Sequence, residues 1–271
     1  MPAVNASRED RVRWLRFEHK GTTAYGIVEQ DQVRPVAGSP FDGYKKSGAP
    51  LPLTEVKTLV PVMPRVFYAV GQNYAKHVQE TAALLNRPVK LPTQPDIGYR
   101  AQNALIADGE AIVIPRDAGE QVQYEGELVA VIGKQVKHLT RENALDCVLG
   151  YTIGNDVSER TWQAADRTLW RGKNTDTFKP MGPWIETEVE LDSLKTTVRV
   201  NGEVKCAFNT NEMIFGVVDY LVAMTRYLTL YPGDVVWMGT DGPTENIKAG
   251  DAVEVEITQL GVLTNPVVGE R

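Results

Sequence analysis

The chain has 271 residues, 42% of them hydrophobic, and 35 acidic residues against 29 lysines and arginines give it a formal net charge of -6. A chain of this length can bury a full core, and its acidic balance without a basic cluster argues against nucleic acid or an anionic membrane as its main partner. The only cysteines, Cys147 and Cys206, imply no disulfide framework and favour a reducing compartment. With no signal-like start and no apolar run long enough to span a bilayer, we expect a soluble cytoplasmic protein.

Three short alternating segments come first, at residues 12–17, 24–28 and 33–36, and they predict a β-meander. Residues 37–64 contain five prolines with several glycines and serines, which is typical of a linker. We therefore predict a small N-terminal β domain with its linker over residues 1–60. The main domain would then take up residues 61–271.

A predicted buried strand at 66–71 precedes a helix that carries a histidine. Asn73 can cap this helix, and residues 86–88 are expected to end it. His77 and Glu80 are three residues apart and can touch on one helix face. A carboxylate beside an imidazole suits a general base, whereas an exposed helical pair without a function is an equal alternative.

The segment 124–134 is a predicted strand with Glu125 and Glu127 at the head of an otherwise apolar run. Because side chains alternate along a strand, both glutamates share a face with Val129 and Val131. Both faces are apolar beyond the glutamates, so we expect the strand to be covered on both sides. Two adjacent carboxylates there would repel each other and resist desolvation, and a divalent cation would remove both problems.

Two other glutamate pairs have the same spacing, at residues 186–188 and 254–256. Polar and apolar residues alternate around both pairs, so we expect solvated glutamates there. The spacing alone is therefore a weak signal, and only the apolar continuation of the face distinguishes Glu125 and Glu127.

Two further charged residues are candidates in the middle of the chain. Asp156 ends a predicted strand and could join a magnesium site, although a turn or cap residue is the commoner role for such an aspartate. Lys173 lies within 158–182, a polar, aromatic and irregular stretch that we expect to be a site-forming loop. In isolation it would be an ordinary solvated lysine.

The last third of the chain is predicted to be dominated by strands. Asn201-Gly202 predicts a tight hairpin turn, and apolar residues at helical spacing predict one helix over 213–224. The fold class is therefore mostly β with a few helices. Phosphate-loop, dinucleotide-binding, nucleophile-elbow and paired-cysteine zinc patterns are absent from the sequence.

Five stretches in this order resemble the fumarylacetoacetate hydrolase family, and together they cover about residues 64–268. They are residues 71–80, 124–128, 155–163, Lys173 with 176–183, and 232–234 with 239–240. The resemblance implies a mixed β-sandwich roll with a small N-terminal β domain, usually assembled as a homodimer. It also implies a Mg²⁺ ion, with Mn²⁺ or Ca²⁺ as other possible ions.

The resemblance also implies roles for individual residues. The metal ligands would be Glu125, Glu127 and Asp156, the catalytic residues His77, Glu80 and Lys173, and the substrate contacts Gln163 and Thr240. Lys173 would stabilise developing enolate charge, as a preorganised cation does, and His77 would activate water or move a proton. Residues 77–98 resemble a segment that closes over the site in relatives.

Two departures from the family pattern affect the expected substrate. Many relatives have Phe-x-Lys before the central strand, where this chain has residues 98–100, and Arg100 could hold a substrate carboxylate through two hydrogen bonds. Relatives usually have Gly-Thr-Pro where this chain has residues 239–241. Asp241 would place a negative charge beside the pocket.

The resemblance implies a small-molecule keto or diketo acid substrate. Our leading hypothesis is a Mg²⁺-dependent hydrolase that cleaves a C–C bond of an acylpyruvate or related 1,3-diketo acid through a metal-bound enolate, with water activated by His77 and Glu80. An oxaloacetate-type decarboxylase, or an isomerase of a hydroxymuconate-type ring-cleavage product, could use the same site. A non-catalytic β-rich binding protein is a more remote alternative.

Overall fold

The computed structural model describes residues 11–84, 88–242 and 244–271. The protein is mostly β with three short α-helices in these ranges, which confirms the predicted fold class. The helices are α1 (Ala75–Leu84), α2 (Arg160–Ala165) and α3 (Val217–Thr225). The first ten strands are β1 (Arg13–His19), β2 (Thr22–Glu29), β3 (Gln32–Ser39), β4 (Gly43–Lys46), β5 (Leu51–Pro52), β6 (Lys57–Thr58), β7 (Phe67–Val70), β8 (Ile97–Tyr99), β9 (Leu105–Ile106) and β10 (Ile112–Ile114). The remaining strands are β11 (Val122–Gln123), β12 (Gly126–Ile132), β13 (Val148–Asn155), β14 (Ser158–Glu159), β15 (Lys179–Glu186), β16 (Lys195–Val200), β17 (Glu203–Asn209), β18 (Val235–Trp237), β19 (Ala252–Ile257) and β20 (Gly261–Gly269).

The strands form one large sheet, one smaller sheet and a two-stranded ribbon. The large sheet has the order β4-β3-β2-β1-β15-β13-β12-β18-β7-β8, with β5, β6 and β9 attached to β3, β1 and β15. The smaller sheet has the order β10-β20-β19-β16-β17, and β11 pairs with β14. The glutamate-bearing strand β12 therefore lies inside the large sheet, between β13 and β18.

The N-terminal strands β1, β2 and β3 form the predicted antiparallel meander. The meander extends the large sheet, because β1 also pairs with β15, with Trp14 opposite Ile185. The prediction of a linker over residues 37–64 is wrong in part, since β4, β5 and β6 lie within it and pair with β3 and β1. The prolines and glycines there lie between short paired strands and do not form a continuous linker.

The central strand β12 is covered on both faces, as predicted. Leu128 on one face packs in the same apolar cluster as Val198 and Val255 of the smaller sheet. Val129 on the other face packs in a second cluster with Trp237. Every residue of β12 is buried, and Glu125, directly before the strand, is buried too, so both glutamates are shielded from water.

Gly126, between the two glutamates, is required by the close approach of the two sheets. A Cβ atom at this position would lie 2.8 Å from Val198 Cγ2 and 2.9 Å from Val255 Cγ1. Such distances are too short for any side chain, so only glycine lets β12 pack against β16 and β19.

Three local predictions need correction. The helix predicted from residue 213 begins at Val217, because Gly216 precedes it and donates its backbone N–H to Asp219 Oδ2 at 2.9 Å. The stretch 158–182 is not wholly irregular, since it contains β14, α2 and the start of β15. Asn73 does not cap α1, because its side-chain oxygen accepts the backbone N–H of Phe215 at 3.0 Å. The predicted end of that helix falls on residues 86 and 87, outside the described part of the chain.

The predicted Asn201-Gly202 turn is confirmed, with positive φ angles of 55° and 80° between the paired strands β16 and β17. Both cysteines are free and buried. Among the residues that the structure describes, no helix has the length and apolar character needed to cross a membrane.

The two other Glu-x-Glu pairs have different environments. Glu254 and Glu256 are half-buried on β19, and Arg199 pairs with Glu256 at 2.7 Å, as expected for a half-solvated strand. The same expectation is wrong for Glu186, which is fully buried at the end of β15 while Glu188 is exposed. The reason is tertiary, because Arg11 and Arg13 of the N-terminal segment donate to Glu186 Oε2 at 2.8 and 3.0 Å.

We expect Glu186→Ala to destabilise the protein by about 2 kcal/mol. Two hydrogen bonds to a charged group would be lost, and solvent screening keeps their sum below the buried value of about 1.5–3 kcal/mol each, because Arg11 and Arg13 are partly exposed. Urea denaturation of the two proteins would measure the difference. Glu188→Ala is the matched control and should change stability by no more than about 0.5 kcal/mol, as for most exposed positions. Equal losses of stability in both variants would show that the ion pairs of Glu186 do not hold the N-terminal segment to β15.

Candidate metal centre

The acidic site forms where β12 and β13 run side by side. The two strands are antiparallel, with Gly126 opposite Asn155 and Glu127 opposite Gly154. This register places the start of β12 beside the end of β13, where Asp156 follows. Asp156 donates its backbone N–H to the carbonyl oxygen of Glu125 at 2.8 Å, which fixes the two residues together.

Glu125, Glu127 and Asp156 are all buried, and each offers a carboxylate oxygen within 4.8 Å of the others. Hard divalent cations such as Mg²⁺ bind oxygen ligands of this kind. The three residues that the sequence singles out as ligands are therefore brought together, and the cluster could hold a metal ion.

Four basic side chains contact two of the three carboxylates. Lys173 Nζ lies 2.5 Å from Glu125 Oε2 and 3.1 Å from Asp156 Oδ2, so it bridges them. Arg160 Nη1 donates to Glu125 Oε1 at 2.6 Å. Arg100 Nη2 donates to Asp156 Oδ2 at 2.8 Å, and Lys179 Nζ lies 2.7 Å from Asp156 Oδ1.

These cations decide the charge states of Glu125 and Asp156. Burial would raise the pKa of Glu125, but the charges of Lys173 and Arg160 outweigh it and lower the pKa to about 2. Burial opposes ionisation of Asp156 as well, and the neighbouring Arg100, Lys173 and Lys179 still hold its pKa well below the usual value. Both groups are therefore carboxylates at neutral pH.

Glu127 has a different environment. Its Oε2 accepts the backbone N–H of Gly239 at 2.8 Å, and no ion pair to it occurs among the residues that the structure describes. Burial raises the pKa of Glu127 to about 8, and the negative charges of Asp156 and Glu125 act in the same direction. Glu127 is therefore the carboxyl group that gains most from a cation beside it.

Two residues of this site, Arg160 and Lys179, were not singled out by the sequence analysis. Lys179 is fully buried and also donates to the carbonyl oxygens of Val157 and Phe178, at 2.8 and 2.9 Å. Burial lowers its pKa to about 7 despite the nearby Asp156. The signal that marks Glu125 was present here too, because Lys179 is a charged residue at the head of an apolar strand. Arg160 offered no such signal, since α2 is a short polar helix.

The three predicted substrate contacts lie in different settings. Arg100 belongs to the cluster, but its guanidinium is engaged by Asp156 and does not lie free for a substrate. Gln163 accepts a hydrogen bond from Arg160 at 2.8 Å, which places it beside Glu125. Thr240 is buried and follows Gly239, the backbone partner of Glu127.

His77 and Glu80 do not form the predicted pair. In the described part of the chain, the His77 imidazole makes no hydrogen bond, and Glu80 Oε1 lies 4.0 Å from Lys76 Nζ instead. His77 is half-buried, and its backbone N–H donates to Asp241 Oδ1 at 3.1 Å. The helix α1 is thus tied to the residues next to Gly239, and Asp241 serves this contact.

The fold and this acidic centre define a protein class that sequence comparison identifies. Residues 66–268 match the family model described as fumarylacetoacetate (FAA) hydrolase C-terminal, and residues 12–61 match the model described as Rv2993c-like, N-terminal. The chain therefore belongs to the fumarylacetoacetate hydrolase family.

Individual members of the family that resemble this chain have different names. The mitochondrial oxaloacetate tautomerase Fahd2a of Rattus norvegicus is 36% identical over 230 residues, which cover 80% of this chain and 71% of that protein. The crystal structure of 5-carboxymethyl-2-hydroxymuconate delta-isomerase from Mycobacterium smegmatis has 34% identity and a TM-score of 0.86, covering 95% of this chain and 100% of that one. Fumarylacetoacetate hydrolase from Exiguobacterium antarcticum has 30% identity and a TM-score of 0.83, covering 96% and 100%. The family thus includes hydrolases, isomerases and tautomerases.

Proposed function

We propose that this protein is a divalent-metal-dependent enzyme that interconverts keto and enol or isomeric forms of a 2-oxo acid. The observation that carries the proposal is the position of Lys173, whose ammonium bridges Glu125 and Asp156 within the buried cluster. A fixed cation in a water-excluded site stabilises the oxyanion that develops when a carbon next to a carbonyl loses a proton. The similarity to an oxaloacetate tautomerase and to a muconate isomerase supports the same reaction type.

Glu125, Glu127 and Asp156 are the residues that we propose to hold the metal, with Mg²⁺ as the expected ion. They fit it because their donor set is made only of oxygen and because Glu127 is buried without a charged partner in the described part of the chain. When bound, a divalent cation would supply a Lewis acid that polarises the carbonyl group of the substrate. Mn²⁺ and Ca²⁺ favour the same kind of ligands.

The other residues of the cluster would orient the substrate and balance its charge. Lys173 would hold the developing oxyanion, and Arg100 and Arg160 would keep Asp156 and Glu125 ionised and in place. Gln163, which accepts from Arg160, and Thr240, which follows Gly239, are proposed as polar contacts. Lys179 would keep Asp156 in place, because the N–H donors of its ammonium group are used by Asp156 and by two backbone carbonyl oxygens.

We expect the Mg²⁺-loaded protein to accelerate conversion of the enol form of oxaloacetate into the keto form, with the mass of the compound unchanged. Ultraviolet absorbance of the enol follows the reaction, and mass spectrometry separates it from decarboxylation, which releases CO₂. Mg²⁺ without protein and protein treated with EDTA are the controls, since a free metal ion promotes the same conversion. A rate no higher than that of Mg²⁺ alone, with oxaloacetate and with hydroxymuconate-type dicarboxylates, would contradict the proposal.

Hydrolysis of a C–C bond in an acylpyruvate or another 1,3-diketo acid is a second candidate function. It is favoured by His77, whose helix is tied beside the acidic centre and whose imidazole is unengaged among the described residues. The absence of the His77–Glu80 contact from the same region gives this reaction less support than isomerisation. An acylpyruvate incubated in ¹⁸O-labelled water distinguishes the two, because hydrolysis yields two fragments, one of which carries the label.

The organisation of the whole protein is also a proposal. The separate matches of residues 12–61 and 66–268 support a boundary near residue 60, although β1 and β15 join the two parts in one sheet. The homodimer and the cytoplasmic location stay predictions.

A further inference from the structure

Asp241 is a buried carboxylate to which the proposed function gives no role. It is 3% exposed. Its Oδ1 accepts the backbone N–H of His77, the third residue of α1, at 3.1 Å. The first turn of a helix leaves backbone N–H groups without partners inside the helix, and a carboxylate is well suited to accept from them. Here the acceptor comes from a residue 164 positions further along the chain.

The local sequence before α1 does not supply this acceptor. Asn73 has the residue type for a cap, but its side-chain oxygen accepts from the backbone N–H of Phe215 at 3.0 Å and its nitrogen donates to Phe215 and Met238. The beginning of α1 is therefore held by tertiary contacts on both sides, and Asp241 provides the one that reaches His77.

The residues next to Asp241 connect this contact to the acidic centre. Two residues earlier, Gly239 donates its backbone N–H to Glu127 Oε2 at 2.8 Å. Gly239 has a φ of +84°, and a Cβ atom there would lie 3.3 Å from Asn73 Cβ, so this segment packs tightly against the start of α1. Residues 239–241 thus contact a proposed metal ligand at one end and the His77 backbone at the other.

The electrostatic environment indicates the same proximity. Burial raises the pKa of Tyr74 well above its ordinary value of 10, and the negative charges of Glu127 and Asp241 add to the effect. Tyr74 directly precedes α1, so both carboxylates lie close to the start of this helix. The distance between His77 and Glu127 therefore depends on how firmly residues 239–241 hold α1.

We propose that Asp241 is a positioning residue that fixes His77 relative to Glu127 by holding the first turn of α1 against residues 239–241. This inference rests on the proposed function and takes His77 as the side chain that moves a proton at the acidic centre. The sequence alone indicated only that Asp241 would place a negative charge beside the pocket. The assigned contact needs only an acceptor oxygen, and this difference makes the two roles separable by experiment.

The experiment compares Asp241→Ala and Asp241→Asn with the unmodified protein. A displacement of about 1 Å in a catalytic group can cost about 100-fold in rate, so we expect Asp241→Ala to lower kcat by about 10- to 100-fold with KM changed less than about threefold. Asp241→Asn keeps an acceptor oxygen and should recover most of kcat. Hydrogen exchange at the His77 amide should be about tenfold faster in Asp241→Ala, because the loss of a hydrogen bond to a charged acceptor exposes that group. Affinity for Mn²⁺ should stay within about threefold, because the three carboxylates are unchanged.

Asp219→Ala is the matched control, because Asp219 likewise accepts a backbone N–H at the start of a helix, in this case α3, and pairs with the exposed Arg141. It should leave kcat unchanged. The inference is overturned if Asp241→Ala has normal kcat, if His77 exchange is unaffected, or if Asp241→Asn is as impaired as Asp241→Ala with a raised KM, which would indicate a charge contact with substrate. If the unmodified protein converts none of the tested compounds, the proposed function fails, while the exchange rate at His77 still decides whether Asp241 holds α1.

Discussion

Glu127→Gln is expected to abolish metal binding and metal-dependent activity while leaving the fold intact. Several kcal/mol of transition-state stabilisation from a Lewis acid would be lost, which corresponds to a fall in kcat/KM of about a thousandfold or more. The fold should survive because the glutamine oxygen can still accept the N–H of Gly239. In addition, burial raises the pKa of Glu127 to about 8, so the neutral form is favoured there in the absence of a cation and a neutral amide avoids burying a charge.

Isothermal titration with Mn²⁺ and thermal unfolding with and without metal would check this expectation. A metal present at 100 times its Kd stabilises the protein by about 2.7 kcal/mol, and Glu127→Gln should lose that increment while unfolding without metal at the same temperature or a higher one. Glu256→Gln is the matched control, because it belongs to a Glu-x-Glu pair on a half-buried strand and is paired with Arg199. Equal effects of the two substitutions would show that the acidic cluster is not a metal site.

Lys173→Met should separate catalysis from metal binding. Loss of one preorganised electrostatic donor lowers kcat by about 10²- to 10³-fold. Affinity for a divalent cation should stay the same or increase, because an ammonium group that competes for Glu125 and Asp156 is removed. Metal should also stabilise this variant more than the unmodified protein, since two buried carboxylates have lost a shared partner.

The same titration and unfolding measurements serve this variant, with steady-state kinetics at saturating metal. Lys57→Met is the control, since Lys57 forms a surface ion pair with Glu110 at 3.0 Å and surface pairs contribute little. A large drop in metal affinity in Lys173→Met would mean that this lysine maintains the shape of the site and does not stabilise the reacting oxyanion. Glu127→Gln and Lys173→Met are thus expected to have opposite effects on metal affinity.

The charges around Glu125, Glu127 and Asp156 also favour one kind of substrate. Four basic side chains contact Glu125 or Asp156 and offset the charges of the three carboxylates, so a bound divalent cation would give the centre a net positive charge; they are Arg100, Arg160, Lys173 and Lys179. A net positive site favours an anionic ligand, which agrees with a 2-oxo acid.

Sequence pattern by itself determined the class of fold and the identity of the acidic residues. The apolar continuation on both sides of Glu125 and Glu127 was enough to predict a covered strand, because burial follows the alternation of side chains. The resemblance to the fumarylacetoacetate hydrolase family, carried by five stretches in the same order, pointed to Asp156 and Lys173. In the structure both residues contact Glu125, and they also contact each other. The Asn201-Gly202 turn was equally local, since positive φ angles select those residues.

Tertiary structure alone decided which charged groups meet. Glu186 has the local pattern of a solvated residue, yet Arg11 and Arg13 bury it from about 175 positions away in the chain. Likewise, Lys179 reaches Asp156, and Asp241 accepts a hydrogen bond from the backbone of α1. The physical reason is that alternation and turn chemistry act between near neighbours in the chain, whereas the pairing of charges and hydrogen bonds depends on strand order and register, which bring distant residues together.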